Sequence, residues 1–196
     1  MRHPSCRITA LAALAIVAAS SASPLVAAAR ADTTADSSVA PTTNIGRAFA
    51  VIGCGGEPVF LSADEKATLD LHNAQRRASG LTTFCVDTRL TAAARAHSDD
   101  MLGQRYFAHT SPDGATFGLR VNDVGYAPFT RLAENIAWGS GPVGTPQHIF
   151  VDWMNSAGHR RNIQNAALRE IGIGVSTGAF EGFDDARIYT VDFGTH

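Results

Sequence analysis

Cysteine is scarce in this chain, and its scarcity excludes a cysteine-built metal finger. Of the three cysteines, Cys6 lies in the first, leader-like stretch. Cys54 and Cys85 are left, with no second Cys or His at finger spacing. An excess of positive charge is also lacking, since sixteen Lys and Arg face eighteen Asp and Glu. Such a chain has no electrostatic footprint for nucleic acid or for an anionic membrane surface. Beyond residue 31 no apolar run approaches the roughly 20 residues that a membrane-spanning helix needs. There is no internal repeat, and Ser111, two residues from His109, stands before Pro112 in a turn and not in a Gly-x-Ser-x-Gly elbow of the kind that presents a nucleophilic serine.

What is present begins with an export signal. Arg2 and Arg7 make a short basic region, Ile8 to Ala19 is apolar, and Ala29-Arg30-Ala31 supplies a small-x-small cleavage pattern. Residues 1–31 are therefore expected to be a signal peptide and the mature chain to be secreted. The apolar run is short for an uncleaved anchor. Val51-Ile52-Gly53-Cys54 is a poor lipobox, because it has no long apolar stretch of its own. Loss of Arg2, Arg7 and Arg30 takes the formal charge from −2 to −5. In an oxidising compartment the remaining pair predicts one disulfide, Cys54–Cys85. It would tie the N-terminal segment to the loop after the first long helix and contribute about 3–4 kcal/mol on the chain-entropy model.

Residues 32–60 read as an extension. Asp32 to Thr43 is rich in Ala, Thr, Ser and Asp and reads as a flexible tether, and Asn44 to Phe60 as a partly ordered segment pinned by Cys54. Residues 61–196 form the domain, and about 135 residues can bury one sizeable core. Ser62 with Glu65 makes a capping-box pattern opening a helix that Gly80 is placed to end. Asp87 or Thr88 starts a second helix, whose Leu90, Ala93, Ala94, His97 and Met101 fall on one stripe. Ser111-Pro112-Asp113-Gly114 is a turn by composition, and Phe117 to Val124 a short helix closed by Gly125. Thr145-Pro146 reads as N-cap and first position of another helix with Ile149, Phe150, Trp153 and Met154 inside, interrupted at Gly158. Ile171–Val175 and Ile188–Phe193 read as two strands of a hairpin. Helices first and an antiparallel sheet late indicate α+β.

Three stretches carry the chemistry. His109 stands in Phe107-Ala108-His109-Thr110-Ser111-Pro112-Asp113-Gly114, Glu134 in Ala133-Glu134-Asn135-Ile136-Ala137, and His159 in Trp153-Met154-Asn155-Ser156-Ala157-Gly158-His159-Arg160. Their order and wording, from about Leu69 to Gly194, resemble the CAP superfamily of cysteine-rich secretory, antigen 5 and pathogenesis-related proteins. The short bacterial branch, with Gly-His-Arg, is the nearer match. The resemblance implies a three-layer α–β–α sandwich with a central, mainly antiparallel sheet. It also implies a cavity built from two histidines and two acids, to which His109, Glu134 and His159 correspond. The fourth position, a glutamate in longer members, is Ser156 here, so one carboxylate is missing unless Asp152 or another acid substitutes.

Two imidazoles and a carboxylate are a chemically sound set for zinc or another divalent cation. The same groups can equally hydrogen-bond one another as a metal-free brace. Asn135 is expected to hold its loop through backbone hydrogen bonds, and Arg160 and Asn162 to anchor the helix break. Ser111 reads as a turn former, His97 as a core histidine and His72 as a packing or polar-network residue. The first functional reading is a non-enzymatic extracellular binding module for a small apolar ligand such as a lipid or sterol, an ion, or an envelope or extracellular protein. The alternatives are a zinc-dependent hydrolase acting on peptide or envelope material, and a structural protein whose polar cluster is an internal brace.

Overall fold

The computed structural model describes residues 48–196. The expected signal peptide, the tether and residues 44–47 of the segment after it lie outside the described residues. Two short strands, β1 (Phe49–Ile52) and β2 (Pro58–Leu61), pair antiparallel. Helix α1 (Ala63–Ala78) follows, then β3 (Cys85–Val86), α2 (Thr88–Gln104) and α3 (Phe117–Asp123). Strand β4 (Arg131–Gly139) leads through a 3-10 turn at Gly141–Gly144 into α4 (Pro146–Asn155) and α5 (Ala157–Ile163). The long strands β5 (Glu170–Phe180) and β6 (Phe183–Thr195) close the domain.

The helix ends follow local chemistry. Ser62 and Glu65 exchange both bonds of the capping box, and Gly80 leaves α1 at φ +68. The Asp87 carboxylate accepts from the Arg89 and Leu90 amides at the start of α2. Gly125, at φ +78, closes α3, and Thr145 caps α4 ahead of Pro146. The break after α4 falls at Ser156 instead of Gly158. Ser156 is extended, its amide still donates to the Asp152 and Trp153 carbonyls, and Gly158 is inside α5.

Strands β3, β5, β6 and β4 lie side by side in that order, antiparallel except for the short parallel β3–β5 pairing. The hairpin expected from Ile171 and Ile188 is real but longer. Most of the Gly- and Asp-containing stretch between them is strand, and only Glu181 and Gly182 make the turn, both at positive φ.

Alternation along the strands divides the side chains between two faces. Ile171, Ile173, Tyr189, Val191 and Phe193 pack with Trp153, Ile149 and Leu69 on the α1, α4 and α5 side. Ile136 and Ile188 with Met101, and Leu132 with Leu90 and Val121, pack on the α2 and α3 side. This is an α–β–α sandwich. On the α2 side the helix lies almost on the sheet backbone. A Cβ on Gly172 would stand 2.0 Å from the Leu90 carbonyl carbon, and one on Gly174 2.3 Å from the Arg95 amide.

The N-terminal hairpin belongs to the same core, for Val59 and Leu61 are buried in it. Cys54 and Cys85 form the expected disulfide, with Cα atoms 5.1 Å apart across 31 residues. Arg76 knits the opposite layer together. Fully buried, it donates to the carbonyls of Thr82, Ile163, Asn165 and Leu168. That fixes the end of α5 against α1.

Candidate functional site

Strand β4 is one edge of the sheet, and its adjacent residues Glu134 and Asn135 point to opposite faces. Each holds one half of the site. The Glu134 side chain is almost wholly buried on the α2–α3 face. Its Oε1 accepts from Nδ1 of His109 at 2.6 Å, and its Oε2 accepts from Nη2 of Arg120 at 2.6 Å. Burial raises the Glu134 carboxyl, but the His109 hydrogen bond and the Arg120 charge outweigh it and hold it below the ordinary value. Glu134 is thus an anion with both oxygens engaged.

The loop carrying His109 is fixed from three sides. Nε2 of buried His97 donates to the Ala108 carbonyl at 3.0 Å. Nη1 of Arg120 donates to the carbonyls of His109 and Ala115, each at 3.0 Å. The Ser111 amide donates to Ala115 and its carbonyl accepts from Gly114, closing the expected turn. Oγ of Ser111 meets the Tyr106 hydroxyl at 3.0 Å and is not bonded to His109. His109 therefore presents a carboxylate-oriented ring whose side chain is half-exposed.

On the other face, Nδ2 of Asn135 donates to the His159 carbonyl at 3.2 Å, while its Oδ1 accepts from Asn162 at 2.8 Å. Arg160 donates to the Met154 carbonyl across the α4–α5 break. These bonds place His159 at the edge of β4 from the second helical layer. Its ring makes no hydrogen bond among the described residues. Burial, and then the nearby charge of His109, lower its pKa. Ser156 caps neither helix with its hydroxyl. Asp152 does not substitute for the missing acid, since it is exposed and lies 3.7 Å from His148.

The acid beside Glu134 in the sheet is Asp192, directly opposite it on β6. It is completely buried, and burial followed by the Glu134 charge pushes its carboxyl well above the ordinary range. Its Oδ1 has no hydrogen-bond partner among the described residues. Three contributors are not singled out by the sequence reading: Arg120, Asp192 and the positioning role of His97. An acid inside the apolar run Ile188-Tyr189-Thr190-Val191-Asp192-Phe193 is the one available signal. Arg120 gives none, being an ordinary helix residue.

A carboxylate-oriented imidazole is half of a general-base arrangement. Among the described residues no hydroxyl or thiol is hydrogen-bonded to His109, so the nucleophile's half is not assembled. Nor do the residues fit a zinc ion. No group of three His, Cys, Asp or Glu side chains among the described residues is arranged to hold a metal. The carboxylate that would bind one already carries a guanidinium.

Comparison with known proteins agrees with the fold. A family model described as the cysteine-rich secretory protein family, CAP, matches residues 69–193. The Bacillus subtilis protein YkwD is 40% identical over 118 residues, which are 60% of this chain and 44% of that protein. The chain thus spans less than half the length of this curated relative. An extracellular Bacillus anthracis protein with an SCP domain superposes with a TM-score of 0.57 at 25% identity, over 72% of this chain and 47% of that one. An outer surface protein from Borrelia burgdorferi gives 0.58 at 22% identity, over 68% and 92% respectively, a likeness of fold alone. Among the described residues no helix is long and apolar enough to cross a membrane.

Proposed function

This chain belongs to the CAP, cysteine-rich secretory protein, family, and from that premise we propose that it is a non-enzymatic extracellular binding module. One observation carries the reading: both oxygens of Glu134 are engaged inside the protein, by His109 and by Arg120. The acid at the centre of the cavity is therefore an organiser, its charge already balanced by His109 and Arg120. What is left for a ligand is the outer edge of His109, the unbonded ring of His159 and the surface beside them. An open groove of about 620 Å³, lined by Ala157, Arg160, Arg161, Gln164 and Asn165, begins two residues from His159. Arg161 in that groove has no hydrogen bond or ion pair among the described residues, and this local positive charge on an otherwise acidic chain favours a ligand with a single anionic group.

The test is saturable binding without turnover. The full-length protein is titrated by calorimetry with phosphatidylglycerol vesicles and with soluble cell-envelope glycan fragments. The ligand is recovered afterwards and weighed by mass spectrometry. Saturation with the ligand intact, weakened about tenfold in Arg161→Ala or His159→Ala, supports the reading. A cleaved ligand, or no saturable binding to either, overturns it.

A second reading has its own support. Glu134, Arg120 and His109 form a cluster joined by two ion pairs around a buried carboxylate, which is what a structural brace requires. The two readings separate on His159, which a brace does not need.

A further inference from the structure

We propose that the corner where α1 and α5 end binds the phosphate of a phosphate ester, taken by Arg160 and Arg161 in the field of Arg76 and Arg169. This site rests on the binding-module reading and gives its ligand a chemical class. Between Asp70 and Asp87, and again between Asp152 and Glu170, the chain carries no acidic residue, yet these segments hold Arg76, Arg77, Arg160, Arg161 and Arg169. The fold brings them together. Gln164, at the end of α5, donates to the Ser79 hydroxyl at the end of α1. Buried Arg76 donates to the carbonyls of Ile163, Asn165 and Leu168.

The charge of this corner is not balanced from within. The arginines that form ion pairs among the described residues are Arg89, Arg95, Arg120 and Arg187, none of which belongs to the corner. Glu170, the next acid along the chain, is engaged by Tyr126 and His196. Two helix C-termini contribute roughly half a negative charge each, which the single charge of Arg76 offsets. Arg161 and Arg169 remain exposed and unpaired. Burial and then the Arg169 charge lower the Arg76 pKa to about 10, so these like charges already act on each other, and an anion would relieve them.

The groove lies on this corner. Asn165 lines it and accepts from Arg76 through its carbonyl at 2.9 Å. Arg160 and Arg161 also line it, and Arg160 spends only its Nη1, on the Met154 carbonyl. One guanidinium fork matches two oxygens of a phosphate, and two forks can share its oxygens, which a carboxylate supplies too few of. The groove is larger than a bare phosphate, and Gln164 and Asn165 offer amides to the group that the phosphate is esterified to.

Full-length protein with isotope-labelled arginine is titrated with glycerol 3-phosphate, and separately with acetate, at constant ionic strength, while NMR follows the arginine Nε–H signals. Arg161→Ala, Arg161→Lys and Arg131→Ala are compared with wild type, each checked for folding by thermal melting. Arg131 is the charge control, an exposed arginine at the start of β4. The expected result is saturation at one site with a shifted Arg161 signal, and none with acetate. Arg161→Ala should weaken binding about tenfold. Arg161→Lys should weaken it less, since the charge stays and the fork goes, and Arg131→Ala should stay within about twofold of wild type. Phosphatidylglycerol vesicles separate the sources. Vesicle binding that depends on Arg161 assigns a lipid headgroup, and binding of the soluble ester alone assigns a soluble or polymeric one.

Three results overturn the proposal: no saturable shift at Arg161, acetate bound as tightly as the ester, or Arg131→Ala as damaging as Arg161→Ala. Glycerol 3-phosphate recovered as free phosphate would remove the non-enzymatic reading and leave this site standing. Glycan binding that depends on His159 but not on Arg161, with no response to the ester, would do the reverse.

Discussion

Glu134 and Asp192 stand directly opposite each other on β4 and β6, two buried carboxyls of which one is held charged and the other neutral. Arg120 and His109 select Glu134 as the anion, so the proton stays on Asp192. Two adjacent carboxylates cannot both ionise at small cost.

This division sets a pH dependence of stability. The folded pKa of Asp192 is raised, so its contribution is complete below the ordinary carboxyl value and is lost as pH rises above it. Asp192→Asn keeps a hydrogen-bond donor and removes the ionisation. The variant should be more stable than wild type at pH 7 and close to it near pH 3. Urea unfolding at the two pH values checks the crossing.

Glu134 and His109 should differ sharply when truncated. Glu134→Ala leaves the largely buried Arg120 guanidinium without its partner, a loss of about 3–5 kcal/mol. His109→Ala removes a half-exposed ring and should cost about 1 kcal/mol. Denaturant midpoints for the two variants decide this. Near-equal losses would mean that Glu134 does not organise the cluster.

His72 should make the domain acid-sensitive. It is wholly buried among Phe150, Trp153 and Phe193, its Nδ1 donates to the Thr68 carbonyl, and burial lowers its pKa to about 4. A depressed folded value means stability that is present above pH 6.5 and lost as pH falls toward 4. The loss amounts to about 3 kcal/mol. His97 and His159 shift the same way. His72→Leu should therefore flatten the slope of unfolding free energy between pH 6.5 and 4 without abolishing it.

A methyl group at Gly172 should push α2 off the sheet. Gly172→Ala is expected to cost about 1–3 kcal/mol or more through overpacking against the Leu90 backbone. Thermal melting checks the cost, and a fully tolerated alanine would contradict the close approach.

The helices were legible because their signals are local. Ser62, Asp87, Thr145 and Gly80 each act within a few residues of themselves. The stripe from Leu90 to Met101 needed only the helical period, and those residues are buried. Strand β4 was not legible, because its inward side mixes Leu132 and Ile136 with the Glu134 carboxylate, and its other side carries Asn135. That is too polar an alternation to read as a strand. Of the three motif residues, the structure brings His109 onto Glu134. The partners that fix their charge were not legible. Asp192 meets Glu134 through strand register and Arg120 meets it through packing of α3, and neither relation has a signature in spacing.

Glu134 and Asn135 are neighbours in the chain, yet through them β4 fastens a loop of one helical layer and a helix of the other. Their peptide unit works like the pivot of a pair of callipers, with the two imidazoles as tips. Anything that seats on both tips reads out the thickness of the sandwich. A ligand could thus be transmitted as a change in how tightly the layers grip the sheet, with no secondary structure lost. Hydrogen exchange along α2 and α5, followed together during a titration, would show both helices stiffening at the same ligand concentration.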